Sequence, residues 1–182
     1  MPESKFNWSF CGPPVSEQRI QRVQQSLGVR FPAGFLDWVR ICDGGLARKC
    51  IFDFVHPTDG SVESDGMGYL FSFREPMDKY LKDIYRNDPD LWRDMDIQPW
   101  WTFEDINNLE RAEHFTPGLI AFADNGSGDH ICFDYRSGKD NPNPPIVIWL
   151  HEFYPNPVGF IASDFDAFTA SLRADDEKPL GK

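Results

Sequence analysis

This sequence has no long apolar run. The longest obvious one, Ile146 to Leu150, is far too short to cross a bilayer. The first residues, MPESKFNWSF, hold no basic region followed by an apolar stretch, so no signal peptide is expected. Cysteine is sparse. Cys11, Cys42, Cys50 and Cys132 stand singly, with no C-x-x-C pair. That spacing argues against a zinc ribbon and against thioredoxin-like chemistry, and free thiols in a reducing cytosol are the expectation. The motifs of common enzymes are also missing. No G-x-x-x-x-G-K-[ST] occurs, so a phosphate-cradling P-loop is unsupported. Gly66-Met67-Gly68 lacks the third glycine and the helix start of a dinucleotide site. Ser127 lies in G-S-G, not in the G-x-S-x-G of a nucleophile elbow. His151-Glu152 runs on into Phe153, Tyr154 and Pro155, which excludes the H-E-x-x-H of a helical zinc site. No internal repeat or low-complexity stretch is present.

What is present suits one folded domain. At 182 residues the chain can bury a core without disulfides or metal. The apolar fraction, 41%, is slightly low, but 15% of residues are aromatic, with 16 Phe and 6 Trp. Large rings bury much area each, so fewer apolar residues can fill the core. The net charge of −11 is unevenly placed: seven Lys/Arg against four Asp/Glu give residues 1–50 a net +3, leaving −14 on residues 51–182. Such a surface repels nucleic acid and anionic lipid. It favours a basic protein partner, including one whose own substrate is nucleic acid. Acidity that serves solubility alone would look the same.

Along the chain, residues 1–15 read as a polar and aromatic arm. Ser16 is placed to cap a first helix, with Val15 and Ile20 as a hydrophobic staple. Ile20, Val23 and Leu27 share one face, and Gly28 can end the helix. Pro32 suits the start of a second helix over 33–43, with Phe35, Val39 and Cys42 on its apolar face and Trp38 beside them. Gly44-Gly45 stops it. Residues 49–55 read as a strand, 56–67 as a loop, and 69–73 as a further strand or strand edge. Helical spacing returns over 75–96, and Thr102 is placed to cap a short helix over 103–113. Strands are expected at 119–123 and 130–135 around an Asn-Gly-Ser-Gly turn. Residues 146–153 are apolar on both faces, which predicts a central strand covered on each side. Another strand follows at 158–162. A last helix starts at Ser163 with Asp166 in a capping box, and Phe165, Phe168 and Leu172 form its buried face. Residues 174–182 read as a tail.

The order and spacing of several pieces carry a resemblance. Leu27, Gly28, Val29, Phe31 and Pro32 precede a helix that ends in Asp43-Gly44-Gly45. Later come an apolar strand at Ala121 to Ala123, a turn with Gly126, Gly128 and Asp129, and a strand from Ile131 to Asp134. A closing strand runs from Pro145 to Trp149, followed by His151 and Glu152. This pattern resembles the SUKH superfamily, the Smi/Knr cell-wall-assembly-regulator-like proteins. The matches cover roughly residues 16–45 and 118–173. The middle, about 56–115, is strongly acidic and insert-like, and matches no quoted pattern. The resemblance implies a single α+β domain over 16–173, with a largely antiparallel, twisted sheet packed by helices. In bacteria it implies an immunity protein that binds and neutralises a cognate toxin, often a nuclease or deaminase. In eukaryotes it implies a regulatory interaction module. Neither role implies catalysis, a cofactor or a metal.

The candidate residues have bland readings beside the functional ones. Asp124 through Asp129 is explained as a turn in which Asn and Asp bond local backbone. It can also meet a partner, and Asp124, Asp129 and Asp134, with His130, are the carboxylates that a small metal-dependent hydrolase would need. The spacing does not fit an EF-hand loop. His151 is expected to be satisfied by a neighbour, late in a strand that sends it and Glu152 to opposite faces. Trp100, Trp101 and Phe103 suit a packed core, or an exposed anchor ringed by acids such as Glu104 and Asp105. The partner-contact set is therefore Trp100, Trp101, Glu104, Asp105, Asp124 and Asp129. Three functions follow: toxin neutralisation by a non-catalytic cytoplasmic domain, a regulatory or scaffold module, and the hydrolase.

Overall fold

A computed structural model describes residues 8–47, 50–74, 102–109, 115–155 and 157–174. Among these, four helices and one six-stranded sheet form an α+β fold. The helices are α1 (Glu17–Leu27), α2 (Ala33–Ile41), α3 (Phe103–Leu109) and α4 (Phe165–Ser171). The strands are β1 (Ile51–Val55), β2 (Val62–Gly66), β3 (Leu119–Asp124), β4 (His130–Asp134), β5 (Ile146–Trp149) and β6 (Val158–Ala162). Their order across the sheet is β2-β1-β6-β5-β4-β3, with every neighbouring pair antiparallel. The helix expected over 75–96 lies outside the described residues.

Local chemistry explains the helices. Ser16 accepts from the Arg19 amide at 3.2 Å, and Ile20, Val23 and Leu27 are buried on the face below it. Gly28 donates to the Gln24 carbonyl and closes α1. Thr102 Oγ1 accepts from the Asp105 amide at 3.0 Å and caps α3. The last helix differs from expectation by one residue. Asp164, not Ser163, is its cap: Oδ1 accepts from the Ala167 amide at 2.8 Å. Ser163 donates instead to Asp164 Oδ2, because a carboxylate is the stronger acceptor.

The core is built of rings. Phe35 of α2 meets Phe31, Phe73, Phe103, Phe122, Phe133 and Phe165 with centroids 5.0–6.1 Å apart. Each such pair adds about 0.5–1.5 kcal/mol beyond area burial. This is how the chain fills its interior with a modest apolar fraction.

Two expectations are corrected. Residues 56–67 are not a loop throughout. Val62–Gly66 is strand β2, paired residue for residue with β1 from Val55↔Val62 to Ile51↔Gly66. The turn before it is fastened by Asp59 Oδ1, which accepts from the Ser61 amide at 2.9 Å. A polar edge strand needs no apolar pattern, since its side chains are mostly in water. The cysteines are not all free. Cys11 and Cys42 form a disulfide, while Cys50 and Cys132 do not. Gly12 pairs with Asp43 across an isolated bridge, and this brings the arm's cysteine beside the end of α2. No sequence spacing reveals a pair 31 residues apart that depends on that bridge.

Gly45 shows why the double glycine follows α2. Its φ is +89°, and a Cβ there would meet Cys42 Sγ at 2.7 Å and the Ser9 carbonyl at 2.9 Å. Asp43 just before it is buried. Its carboxylate accepts from the Phe73 amide at 2.7 Å and from Ser72 Oγ at 2.9 Å. Burial pushes the Asp43 carboxyl above its ordinary pKa, against the pull of those two donors.

Candidate interaction site

The turn between β3 and β4 holds two of the expected contact residues. Asn125 Oδ1 accepts from the amides of Ser127 and Asp129, at 2.9 and 3.0 Å. Asp124 Oδ1 accepts from the amides of Gly126 at 3.0 Å and Tyr69 at 3.3 Å. These are the local side-chain-to-backbone bonds that favour Asn and Asp in turns. Gly68 packs so closely on Asp124 that a Cβ there would collide with Oδ1. Burial raises the Asp124 carboxyl above its ordinary pKa, while the two amides oppose the rise.

Asp129 faces the neighbouring turn. Its Oδ1 accepts from the His151 amide at 2.9 Å and lies 2.7 Å from His151 Nδ1. Asn125 Nδ2 bridges Asp129 Oδ2 at 3.0 Å and Asp65 Oδ2 at 2.8 Å. The expected neighbour of His151 is thus Asp129. The placement of His151 and Glu152 is corrected, however. β5 ends at Trp149, and both residues lie in the following turn, with His151 Nε2 3.6 Å from Glu152 Oε1. Leu150 donates to the Pro157 carbonyl and accepts from the Phe153 amide, which closes that turn early.

Asp134, the third carboxylate of the hydrolase reading, is held by Arg136 through Nε at 2.9 Å and Nη2 at 2.7 Å. Burial is the largest single influence on it and acts upward, but the Arg136 guanidinium and amide together hold it below its ordinary pKa. Each of the three carboxylates therefore serves its own local donors. Among the described residues no group of three His, Cys, Asp or Glu could hold a metal ion.

Glu104 lies on α3, half-buried, and pairs with Arg19 of α1 while accepting from Ser26 Oγ at 2.9 Å. Arg19 Nε also donates to the Phe73 carbonyl at 2.6 Å, so the pair ties α1, α3 and residues 73–74 together. Asp105 is half-buried beside it. Trp100 and Trp101 lie outside the described residues. Phe103, read with them as packed, is fully buried. The four described contact candidates thus fall into two places, Asp124 and Asp129 at the β3–β4 turn and Glu104 and Asp105 on α3. The sequence reading missed Asp65 and Tyr69, which join the turn from 55 to 60 residues away. It also read Phe160 only as part of a strand, without the exposed face it occupies.

Comparison with known families decides the lineage. The sequence model of the SMI1/KNR4 family (SUKH-1) matches residues 14–171. The chain belongs to this family. The SUKH-1 match runs through the acidic middle as well as the two ends. A search of the curated proteins and a search of the solved structures each found no match. No described helix is long and apolar enough to cross a membrane.

Proposed function

We propose that this SUKH-1 chain is a non-catalytic protein-binding domain that acts as an immunity protein, masking a cognate, basic toxin that attacks nucleic acid. The family match over residues 14–171 carries the reading. The −14 charge of residues 51–182 supports it, since an acidic face attracts the cationic surface with which such a toxin holds its own substrate. The local commitments of Asp124, Asp129 and Asp134 favour binding over hydrolysis. Masking would combine attraction between opposite charges with burial of an apolar anchor.

Co-expression with a toxin encoded beside its gene tests this. The expected outcome is rescue of growth and a complex of nanomolar affinity whose association slows as salt rises. Neither rescue nor complex would sink the reading. The reading also places the protein in the cytosol. Cys11 is exposed there, so thiol exchange can reach the Cys11–Cys42 bond. Alkylation in denaturant after acid-quenched lysis should then label all four cysteines, and labelling of Cys50 and Cys132 alone would count against that location.

A further inference from the structure

Three residues that face one another across three strands share one face of the sheet. Val62↔Val55 and Val55↔Phe160 are direct cross-strand partners, so their side chains form a single row. The row continues through Phe160↔Val147 and Val147↔Cys132. Its two parts differ sharply. Cys132 and Val147 are 0% and 3% exposed, whereas Phe160, Val55 and Val62 are 49%, 39% and 53% exposed. The face is thus covered over β4 and β5 and bare over β6, β1 and β2.

The turn between β5 and β6 extends the bare part. Phe153 and Tyr154 are exposed there, and with Trp149, His151 and Pro157 they line a hollow of about 340 Å³. Among the described residues, seven large hydrophobic side chains are exposed, and five of them are Val55, Val62, Phe153, Tyr154 and Phe160. Apolar residues scattered singly need no explanation, but a contiguous group of this kind marks a contact surface.

Charge selects the occupant. Residues 51–66 and 146–163 contain Asp53, Asp59, Glu63, Asp65 and Glu152, and no Lys or Arg. Arg173 pairs with Asp53 on the face itself, but the neighbourhood stays net negative. Asp59 and Glu152 stand at its rim, while Glu63 and Asp65, partnered with Phe54 and Phe52, turn to the opposite face of the β2 edge. A second copy of this chain would bring Glu63 and Asp65 against their own kind along the β2 edge, and like charges there oppose pairing. A partner of opposite sign meets no such penalty. We propose that the bare face of β2, β1 and β6, with the β5–β6 turn, docks a basic protein that presents an apolar or aromatic anchor ringed by Lys or Arg. The proposal rests on the protein-binding reading and gives that reading its surface. Apolar burial at the row supplies the affinity, and the acidic rim supplies the approach rate.

Two measurements test it on the full chain. In the first, Val62→Ser with Phe160→Ser, and separately Glu152→Lys, are titrated with the neighbouring-gene toxin. The double variant should bind at least about tenfold more weakly, with its melting temperature within about 2 °C of wild type. Glu152→Lys should slow association and leave dissociation nearly unchanged. If wild type binds and both variants bind equally well, the surface is wrong while the immunity reading stands. If wild type fails to bind, that reading falls, and the second measurement still decides the surface. In it, amide shifts are mapped with a short peptide carrying a Trp between lysines, and with the same peptide carrying glutamates. Shifts confined to the Val55, Val62, Phe153 and Phe160 region with the lysine peptide support the proposal. Equal shifts with both peptides, or shifts elsewhere, overturn it. A large fall in melting temperature of the double variant, or a dimer of the free protein, would show the face covered by this chain itself, and would overturn it too.

Discussion

The free edge of β3 is lined by Gly68 to Ser72 and by the side chain of Asn107, whereas β2, at the other end of the sheet, leaves Val62, Glu63 and Ser64 in water. Along β3 the Phe71 amide donates to the Phe122 carbonyl at 2.9 Å, and the Asp124 amide to the Tyr69 carbonyl at 3.2 Å. Asn107 completes the cover. Its Nδ2 donates to the Ala121 carbonyl at 2.9 Å and its Oδ1 accepts from the Ala121 amide at 2.8 Å. An amide side chain thus stands in for a strand residue. At β2 no such cover is described, and carboxylates on the edge itself discourage pairing. An unprotected strand edge invites association, and these are two different solutions to that problem. The covered end belongs to the aromatic core, and the charged end lies mostly in water.

The largest expected effect breaks the covered end. Phe133 of β4 is fully buried, with Phe122 and Phe35 rings 4.5 and 5.0 Å away. Phe133→Ala should cost about 3–5 kcal/mol, because a ring is lost and a cavity remains. Urea denaturation measures it. A cost below about 1 kcal/mol would mean that the two ends are not energetically distinct.

Next in size is the edge cover. Asn107 is buried and also donates to the Phe103 carbonyl at 2.8 Å. Asn107→Ala strands the Ala121 amide and carbonyl without water or partner. A cost of about 2–3 kcal/mol is expected. Hydrogen exchange at the Ala121 amide should quicken as well, since its acceptor is gone. Unchanged exchange would show that some other group covers this edge.

The difference between the ends also explains what could be read from the sequence. β3, β4 and β5 were legible because strands buried on both faces are apolar almost throughout, as LIAF, ICF and IVIW are. The first helix was legible because Ser16 and Gly28 punctuate it through bonds that span a few residues. β2 was not, because VESDG carries no pattern, and its strand state comes from pairing with β1. The candidate site divides the same way. The Asp124–Asp129 turn was readable from local Asn and Asp chemistry. The engagement of Asp129 by His151 and of Asp124 by Tyr69 was not, because both bonds cross long stretches of chain. The sign of the surface charge was readable, and its place on the fold was not.

Two carboxylates sharpen the comparison with the smallest expected effect. Asp53 lies on β1 at the open end, where the Arg173 guanidinium and Ser64 hold its carboxyl below the ordinary range. A lowered folded pKa contributes stability that is present above the unfolded value, near 3.8, and is lost as pH falls through the folded value. Asp53→Asn should therefore cost more at pH 7 than at pH 3. Asp43 behaves oppositely. Burial raises its folded pKa above 3.8, so the native state takes up the proton first and gains stability as pH falls through that raised value. Asp43→Asn removes this gain and should cost less at pH 7 than near pH 4. Asn can still accept from the Phe73 amide, so the cost at pH 7 stays near 1 kcal/mol or below. Urea midpoints of both variants and wild type between pH 3 and 7 give the two slopes. Opposite signs match a partly exposed carboxylate paired with Arg173 at one place and a buried acceptor at the other. Slopes of the same sign would mean that Asp43 and Asp53 do not differ in the way their surroundings require.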